Sequence, residues 1–153
     1  MALGSDPTAS ISPHHTLVEM GADTLHELIA LAEPLAKQWA SIQPGRNTFH
    51  FADDRVRLEV LVGDVNEMLS QVRGPVDAIY LDGFAPSRNP AMWTDSVMQT
   101  LAGLCLPGTT LATYTVARSV RDALSAAGFD VQRHPGAPPK RHRLEAVFVG
   151  SVG

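Results

Sequence analysis

Residues 76–93 read VDAIYLDGFAPSRNPAMW. VDAIYL is a short apolar run with a single charge, read as a strand. It ends on a carboxylate, Asp82, followed by Gly83 and by a loop bordered by Pro86 and Pro90. Open α/β sheets bind ligands at the C-terminal ends of their strands, so this junction is the first place to look for chemistry. Gly83 permits close backbone approach, and Phe84 with Trp93 offers a flat wall for a planar base. The alternative reading is purely structural: Asp82 caps the loop, and Phe84 and Trp93 belong to the core.

Working outward, strands alternate with helices on both sides of this stretch. Upstream, HTLVEM (15–20) is a short apolar run. It is followed by Leu25, Leu28, Ile29 and Ala32 at the spacing of an amphipathic helix over 23–40, with Pro34 expected to kink or interrupt it. Pro44 and Gly45 end that segment. RVRLEVLVG (55–63) passes from alternating to wholly apolar, as a strand does on entering a core. Asp64 then caps a short helix, with Glu67 three positions on as a capping-box partner. Downstream, Pro90 suits the first turn of a helix over 91–105, stopped by Pro107-Gly108. A strand at 109–115, a helix at 117–127 closed by Gly128, and strands at 129–134 and 142–149 complete the series. The reading is an α/β layer fold with one sheet containing 15–20, 56–62, 76–82, 109–115, 129–134 and 142–149. In it 76–82 is interior and the last two strands are antiparallel.

With 153 residues, 44% of them hydrophobic and 18% charged, the chain suits one domain with a real core. A floppy arm is expected over 1–13 and a single domain over 14–153. Twelve basic against sixteen acidic residues give a net charge of −4, which excludes a general electrostatic grip on nucleic acid and leaves only local patches. Cys105 is the single cysteine; it excludes an internal disulfide and fits a reducing, cytoplasmic setting. No apolar run reaches the roughly 20 residues of a membrane span, and MALGSDPTASISP lacks the basic start and apolar stretch of a signal peptide. His14-His15 is not read as a metal site, since neighbours on a strand point apart. Met68, Met92 and Met98 read as packing.

The string LDGFAPSRNPAMW, with GDVNEML before it and LPGTTLATYTVARSVRDALSAAGF after it, strongly resembles a known family. This is the methyltransferase half of the bifunctional enzymes of tRNA 5-methylaminomethyl-2-thiouridine synthesis. The resemblance runs from about residue 15 to residue 149. It implies a class I, Rossmann-like α/β fold, mostly parallel with an antiparallel C-terminal strand, and use of S-adenosylmethionine. It also implies methylation of the exocyclic amine of 5-aminomethyl-2-thiouridine at the tRNA wobble position. In many members the domain is fused to an FAD-dependent oxidase, so a separate oxidase is an implied partner here. Carried over by position, Glu19 matches the acid that binds the cofactor ribose, and Asp64 in GDVNEM matches the residue beside the adenine. Asp82 matches the carboxylate at the active centre. Gly63 and Gly83 fall with the cofactor-binding set, and Phe84, Pro86 and Trp93 with the substrate-binding set. Vicinal hydroxyls and an adenine amino group suit carboxylate acceptors, and a substrate amine suits an anionic neighbour. Without the resemblance, Glu19 and Asp64 read equally as helix-start acids.

The family pattern opens with a strand and a glycine-rich loop of the form E-x-G-F-G-T-G-x-N, which cradles the methionine end of the cofactor. No such string occurs in this sequence. The expectation is a sheet truncated at its N-terminus with weak S-adenosylmethionine binding by the isolated chain. The strands at 15–20 and 76–82 then close up, or another chain, including a second copy, fills the place between them. The alternative function is a non-catalytic remnant or partner-binding unit. KRHR (140–143) matches the family's basic stretch before the last strand. Lys140, Arg141 and Arg143 are therefore candidate contacts to tRNA phosphates, or simply a solvated hairpin loop.

Overall fold

The computed structural model describes residues 32–136 and 142–150. They fall into two compact units that divide between Gly63 and Asp64.

In the first unit, residues 32–39 are helical (α1), Pro34 included. β1 (Gly45–Phe51) pairs antiparallel with β2 (Val56–Val62), in register from Gly45↔Val62 to Phe51↔Val56. Asn47 fixes the entry: its Nδ2 donates to the Gln43 carbonyl at 2.7 Å and its Oδ1 accepts from the Gln43 N–H at 3.0 Å. The turn carries Ala52, Asp53 and Asp54 at φ of 52°, 54° and 63°, a conformation costing side-chain-bearing residues about 1 kcal/mol each. Arg55 offsets part of that, donating from Nε and from its backbone N–H to the Ala52 carbonyl at 2.9 and 3.2 Å. This hairpin corrects the sequence reading. Residues 56–62 do form a strand, but in a two-stranded sheet with 45–51, not in the sheet of 76–82. Adjacent alternating runs pair across a four-residue loop at little entropic cost, and Asn47, Phe49 and Phe51 supply the inward half of the alternation.

The second unit holds a four-stranded sheet of order β3-β4-β6-β5. These strands are β3 (Val76–Tyr80), β4 (Cys105–Thr113), β5 (Phe129–Pro135) and β6 (His142–Phe148). β3 and β4 are parallel, and β6 is antiparallel to both β4 and β5. Three strands thus run one way and only the last is reversed, the direction pattern expected. Among the described residues β3 is an edge strand, not the interior one expected. The neighbour foreseen for it, 15–20, lies outside the described residues.

Register decides which face is core. Ile79, Leu111, Ala146 and Val131 are successive cross-strand partners, and the first three are 1, 2 and 4% exposed. This row packs with Leu69 of α2 (Val65–Leu69), with Val97, Met98 and Leu101 of α3 (Asp95–Ala102), and with Val120 and Leu124 of α4 (Arg118–Ala126). One position along, Tyr80, Ala112, Glu145 and Gln132 are partners on the other face. That face holds a shallow concavity of about 380 Å³ lined in part by Tyr80, Asp130, His134, Glu145 and Val147.

Two expected boundaries move. The helix foreseen over 91–105 is a 3-10 turn, Pro90–Trp93, followed by α3. Thr94 separates them because it is extended and caps α3, its Oγ1 accepting from the Val97 N–H at 3.3 Å. β4 starts four residues early, running through Pro107-Gly108 across a register shift opposite Val76–Ala78. Thr109 stitches that bulge: its hydroxyl donates to the Val76 carbonyl at 2.7 Å and accepts from the Leu106 N–H at 3.2 Å.

Gly108 and Gly128 sit at φ +99° and +95°, so alanine strains either by about 1 kcal/mol. They differ in space. A Cβ on Gly108 meets nothing within 4 Å, whereas on Gly128 it lies 2.6 Å from the Gly150 carbonyl oxygen and 3.1 Å from the Phe148 ring. Gly128→Ala is therefore expected to lose about 2–4 kcal/mol and Gly108→Ala about 1, read from urea unfolding of the two variants side by side.

Candidate functional site

The junction at 76–93 is built by the parallel pairing of β3 with β4. The Leu81 N–H donates to the Ala112 carbonyl at 2.9 Å, carrying the ladder one step past the strand. Leu81 is fully buried and the next residue, Asp82, is exposed. Two aromatic side chains then take hold of the loop backbone. The Tyr114 hydroxyl donates to the Gly83 carbonyl at 2.5 Å, and the Trp93 Nε1–H donates to the Phe84 carbonyl at 2.9 Å. The two rings meet edge to face, centroids 6.5 Å apart at 89°. Beyond them the loop folds back on itself, the Arg88 and Asn89 N–H groups both donating to the Ala85 carbonyl at 2.7 and 3.1 Å.

Of the residues singled out from the sequence, the structure brings together Asp82, Gly83, Phe84, Pro86 and Trp93 on this one loop and the turn that follows it. Phe84 presents its ring at 47% exposure, while Trp93 is 7% exposed. Asp64, next to Gly63 at the end of β2, stands at the N-cap of α2, where its Oδ1 accepts from the Asn66 N–H at 2.9 Å. That bond, then the Asn66 side chain, holds the Asp64 carboxyl below its usual range. The cap is thus complete at neutral pH and is lost only as acid passes through the lowered value. Glu19, Lys140 and Arg141 lie outside the described residues. Arg143 lies on β6, where its Nε donates to Glu145 Oε1 at 2.6 Å and it also bonds the Pro135 carbonyl. Among the described residues no cluster of three metal-ligating side chains occurs, and no helix is long and apolar enough to cross a membrane.

Tyr114 was missed by the sequence reading. Its one sequence signal is an aromatic residue between two threonines just past a strand, in TYT (113–115). Burial first, and the nearby Asp82 carboxylate second, push its phenol above the ordinary 10.0. Cys105, half-buried, has its thiol raised by burial and hydrogen-bonded to the Leu101 carbonyl at 3.2 Å; it is a packing residue.

A sequence profile described as S-adenosyl-L-methionine-dependent methyltransferase matches residues 26–148, and the chain belongs to that family. Among individual relatives it is similar to the tRNA 5-methylaminomethyl-2-thiouridine biosynthesis bifunctional protein MnmC of Leptospira interrogans. There it is 43% identical over 125 residues, 82% of this chain and 19% of that protein. The protein of the same name from Maricaulis maris is 47% identical over 126 residues, again 82% of this chain and 22% of the relative. The chain thus spans about a fifth of the length of these curated relatives. In fold it is similar to the crystal structure of MNMC2 from Aquifex aeolicus, with a TM-score of 0.61 at 23% identity, covering 84% of this chain and 38% of that one.

Asp64 is an exposed carboxylate separated from β2 by Gly63 alone, held ionised at neutral pH by its bonds to Asn66, a group able to accept from an amino group. For the methionine end of the family's cofactor the sequence holds no glycine-rich string of the family's form.

The chain has two tyrosines, Tyr80 and Tyr114. In a Tyr80→Phe background, ultraviolet titration is expected to give a phenol midpoint above 10.0. Asp82→Asn removes the lesser of the two causes, so it should lower that midpoint without returning it to the ordinary value. An unmoved midpoint would separate Asp82 from Tyr114.

Proposed function

We propose that this chain carries the acceptor side of a methyltransferase site. The reaction is S-adenosylmethionine-dependent methylation of the aminomethyl group of 5-aminomethyl-2-thiouridine at the wobble position of tRNA. The observation that carries the reading is Asp82: an exposed carboxylate just past β3, on a loop tied down at the next two residues. The names of the relatives support the substrate. S-adenosylmethionine, when bound, supplies an electrophilic methyl group. An amine attacks it only when unprotonated, so the protein's tasks are to orient the amine and to take its proton. Asp82 accepts a hydrogen bond from the acceptor amine and receives the proton it loses. Phe84 stacks on the base, with Gly83 and Pro86 shaping the loop around it. Asp64 receives the adenine amino group, Glu19 the ribose hydroxyls, and Gly63 lets the chain pass close by. Lys140, Arg141 and Arg143 contact tRNA phosphates, and an FAD-dependent oxidase acts upstream to free the amine. Work on tRNA places the protein in the cytoplasm.

A second reading is a non-catalytic remnant or partner-binding unit of such a methyltransferase. Calorimetry with S-adenosylmethionine separates the two. The isolated chain is expected to bind weakly or undetectably, and micromolar affinity lost on Asp64→Ala would show that the adenosine side alone suffices. The catalytic reading is tested with labelled cofactor and tRNA bearing 5-aminomethyl-2-thiouridine. Asp82→Asn is expected to lower kcat by about 10²-fold or more with little change in KM. Label transfer at the unaltered rate would remove Asp82 from the site, and no transfer by the unaltered chain would leave the second reading.

A further inference from the structure

We infer that Tyr114 and Trp93 are positioning residues: together they clamp the backbone of loop 82–89 and so fix the direction in which Asp82 presents its carboxylate. The catalytic consequence rests on the role of Asp82 given above; the clamp itself does not.

An exposed carboxylate on a free loop samples many directions, and a general base misplaced by about 1 Å loses about two orders of magnitude in rate. Here the two residues after Asp82 each give their carbonyl to a side chain rooted elsewhere. The Gly83 carbonyl goes to Tyr114 and the Phe84 carbonyl to Trp93. These donors are themselves held. Trp93 is 7% exposed beside fully packed Met92, in the 3-10 turn Pro90–Trp93. Tyr114 follows β4 directly, between Thr113 and Thr115, which are 5 and 7% exposed. The Thr113 Oγ1 accepts from the Thr115 N–H at 3.3 Å, and the Thr115 Oγ1 from the Ala117 N–H at 3.4 Å. The edge-to-face contact of the two rings joins the donors into one unit. Since β4 is the parallel neighbour of β3, Tyr114 reaches across from the next strand end, 31 residues away in sequence. The clamp thus transmits the register of the sheet to the loop. Its atoms are backbone carbonyls and aromatic tips, so the loop's own side chains stay available for a ligand.

Tyr114→Phe and Trp93→Phe each delete one donor and keep a ring in place. Hydrogen–deuterium exchange of the full chain is expected to rise at least tenfold at amides within 83–89 in either variant. Tryptic cleavage after the exposed Arg88 should accelerate in parallel, while α4 and the β5–β6 pair remain protected. Tyr80→Phe, at a side chain 64% exposed on the sheet face, is the control and should change none of these. In methyl transfer, Tyr114→Phe is expected to lower kcat about 10- to 100-fold at unchanged KM. Combined with Asp82→Asn it should cost little more than Asp82→Asn alone, as two residues acting through one group do. Unaltered exchange across 83–89 in both variants overturns the clamp. A loosened loop that keeps its kcat overturns the positioning role. If the unaltered chain transfers no methyl group, the function proposed above falls, and the exchange measurement alone decides the clamp.

Discussion

The parallel pairing of Ile79 with Leu111 is the constraint on which the second unit depends. Strand side chains alternate between faces, so a slip of one residue would turn Ile79 and Leu81 toward solvent and Tyr80 into the core. The helices set the penalty for such a slip. Leu69, Met98, Leu101 and Leu124 are no more than 2% exposed, and all four belong to the same buried cluster as Ile79 and Leu111. Truncating one such leucine costs about 2–5 kcal/mol, against a domain stability of about 5–15 kcal/mol. Burial of that row therefore sets where β3 stops, and the stopping point sets where Asp82 emerges.

Beyond Leu81, hydrogen bonds take over from packing. Leu81 is still in the ladder through the Ala112 carbonyl, and Asp82 is the first residue free of it. Each side-chain bond to the loop contributes only about 1 kcal/mol net, far less than the core. Such bonds barely affect whether the domain folds. They decide which of several loop conformations it keeps. The division is sensible for a site: the sheet supplies stability through apolar area, while two aromatic polar tips supply direction. The surface charge follows the same logic of local use. In an acidic chain, Arg143 is already engaged by Glu145, so its contribution to a basic patch is shared with a carboxylate.

Much of this unit was legible in the sequence because its signals are local. VDAIYL followed by Asp-Gly marked β3 and its end. Asp64 announced the cap of α2, and Gly128 the close of α4. Direction was legible too, since strands separated by helices run parallel and the short return from β5 to β6 cannot. What was not legible rests on contacts distant in sequence or on unusual backbone. The β1–β2 hairpin turns through Ala52, Asp53 and Asp54 at positive φ, with no glycine in the turn to announce it, and Pro44-Gly45 read as an ending. The early start of β4 depends on Thr109 bonding to Val76, 33 residues away. Tyr114 looked like one more strand residue because its partner, the Gly83 carbonyl, belongs to another strand end. Of the candidate site, the loop at 82–93 was readable as one stretch. The interior place of 76–82 beside 15–20 was an inference from the fold class, and 15–20 lies outside the described residues.

The loop presenting Asp82 has one fixed backbone, held from Tyr114 and Trp93. The most direct measurement is nuclear magnetic resonance of the Trp93 indole proton, distinguished from that of Trp39, the other tryptophan, by a Trp39→Phe variant. A donor bonded at 2.9 Å to the Phe84 carbonyl and set edge to face with Tyr114 should exchange slowly with water. It should also show Overhauser effects to the Ala85 amide and the Tyr114 ring. An indole proton in fast exchange, with neither effect, would contradict the account.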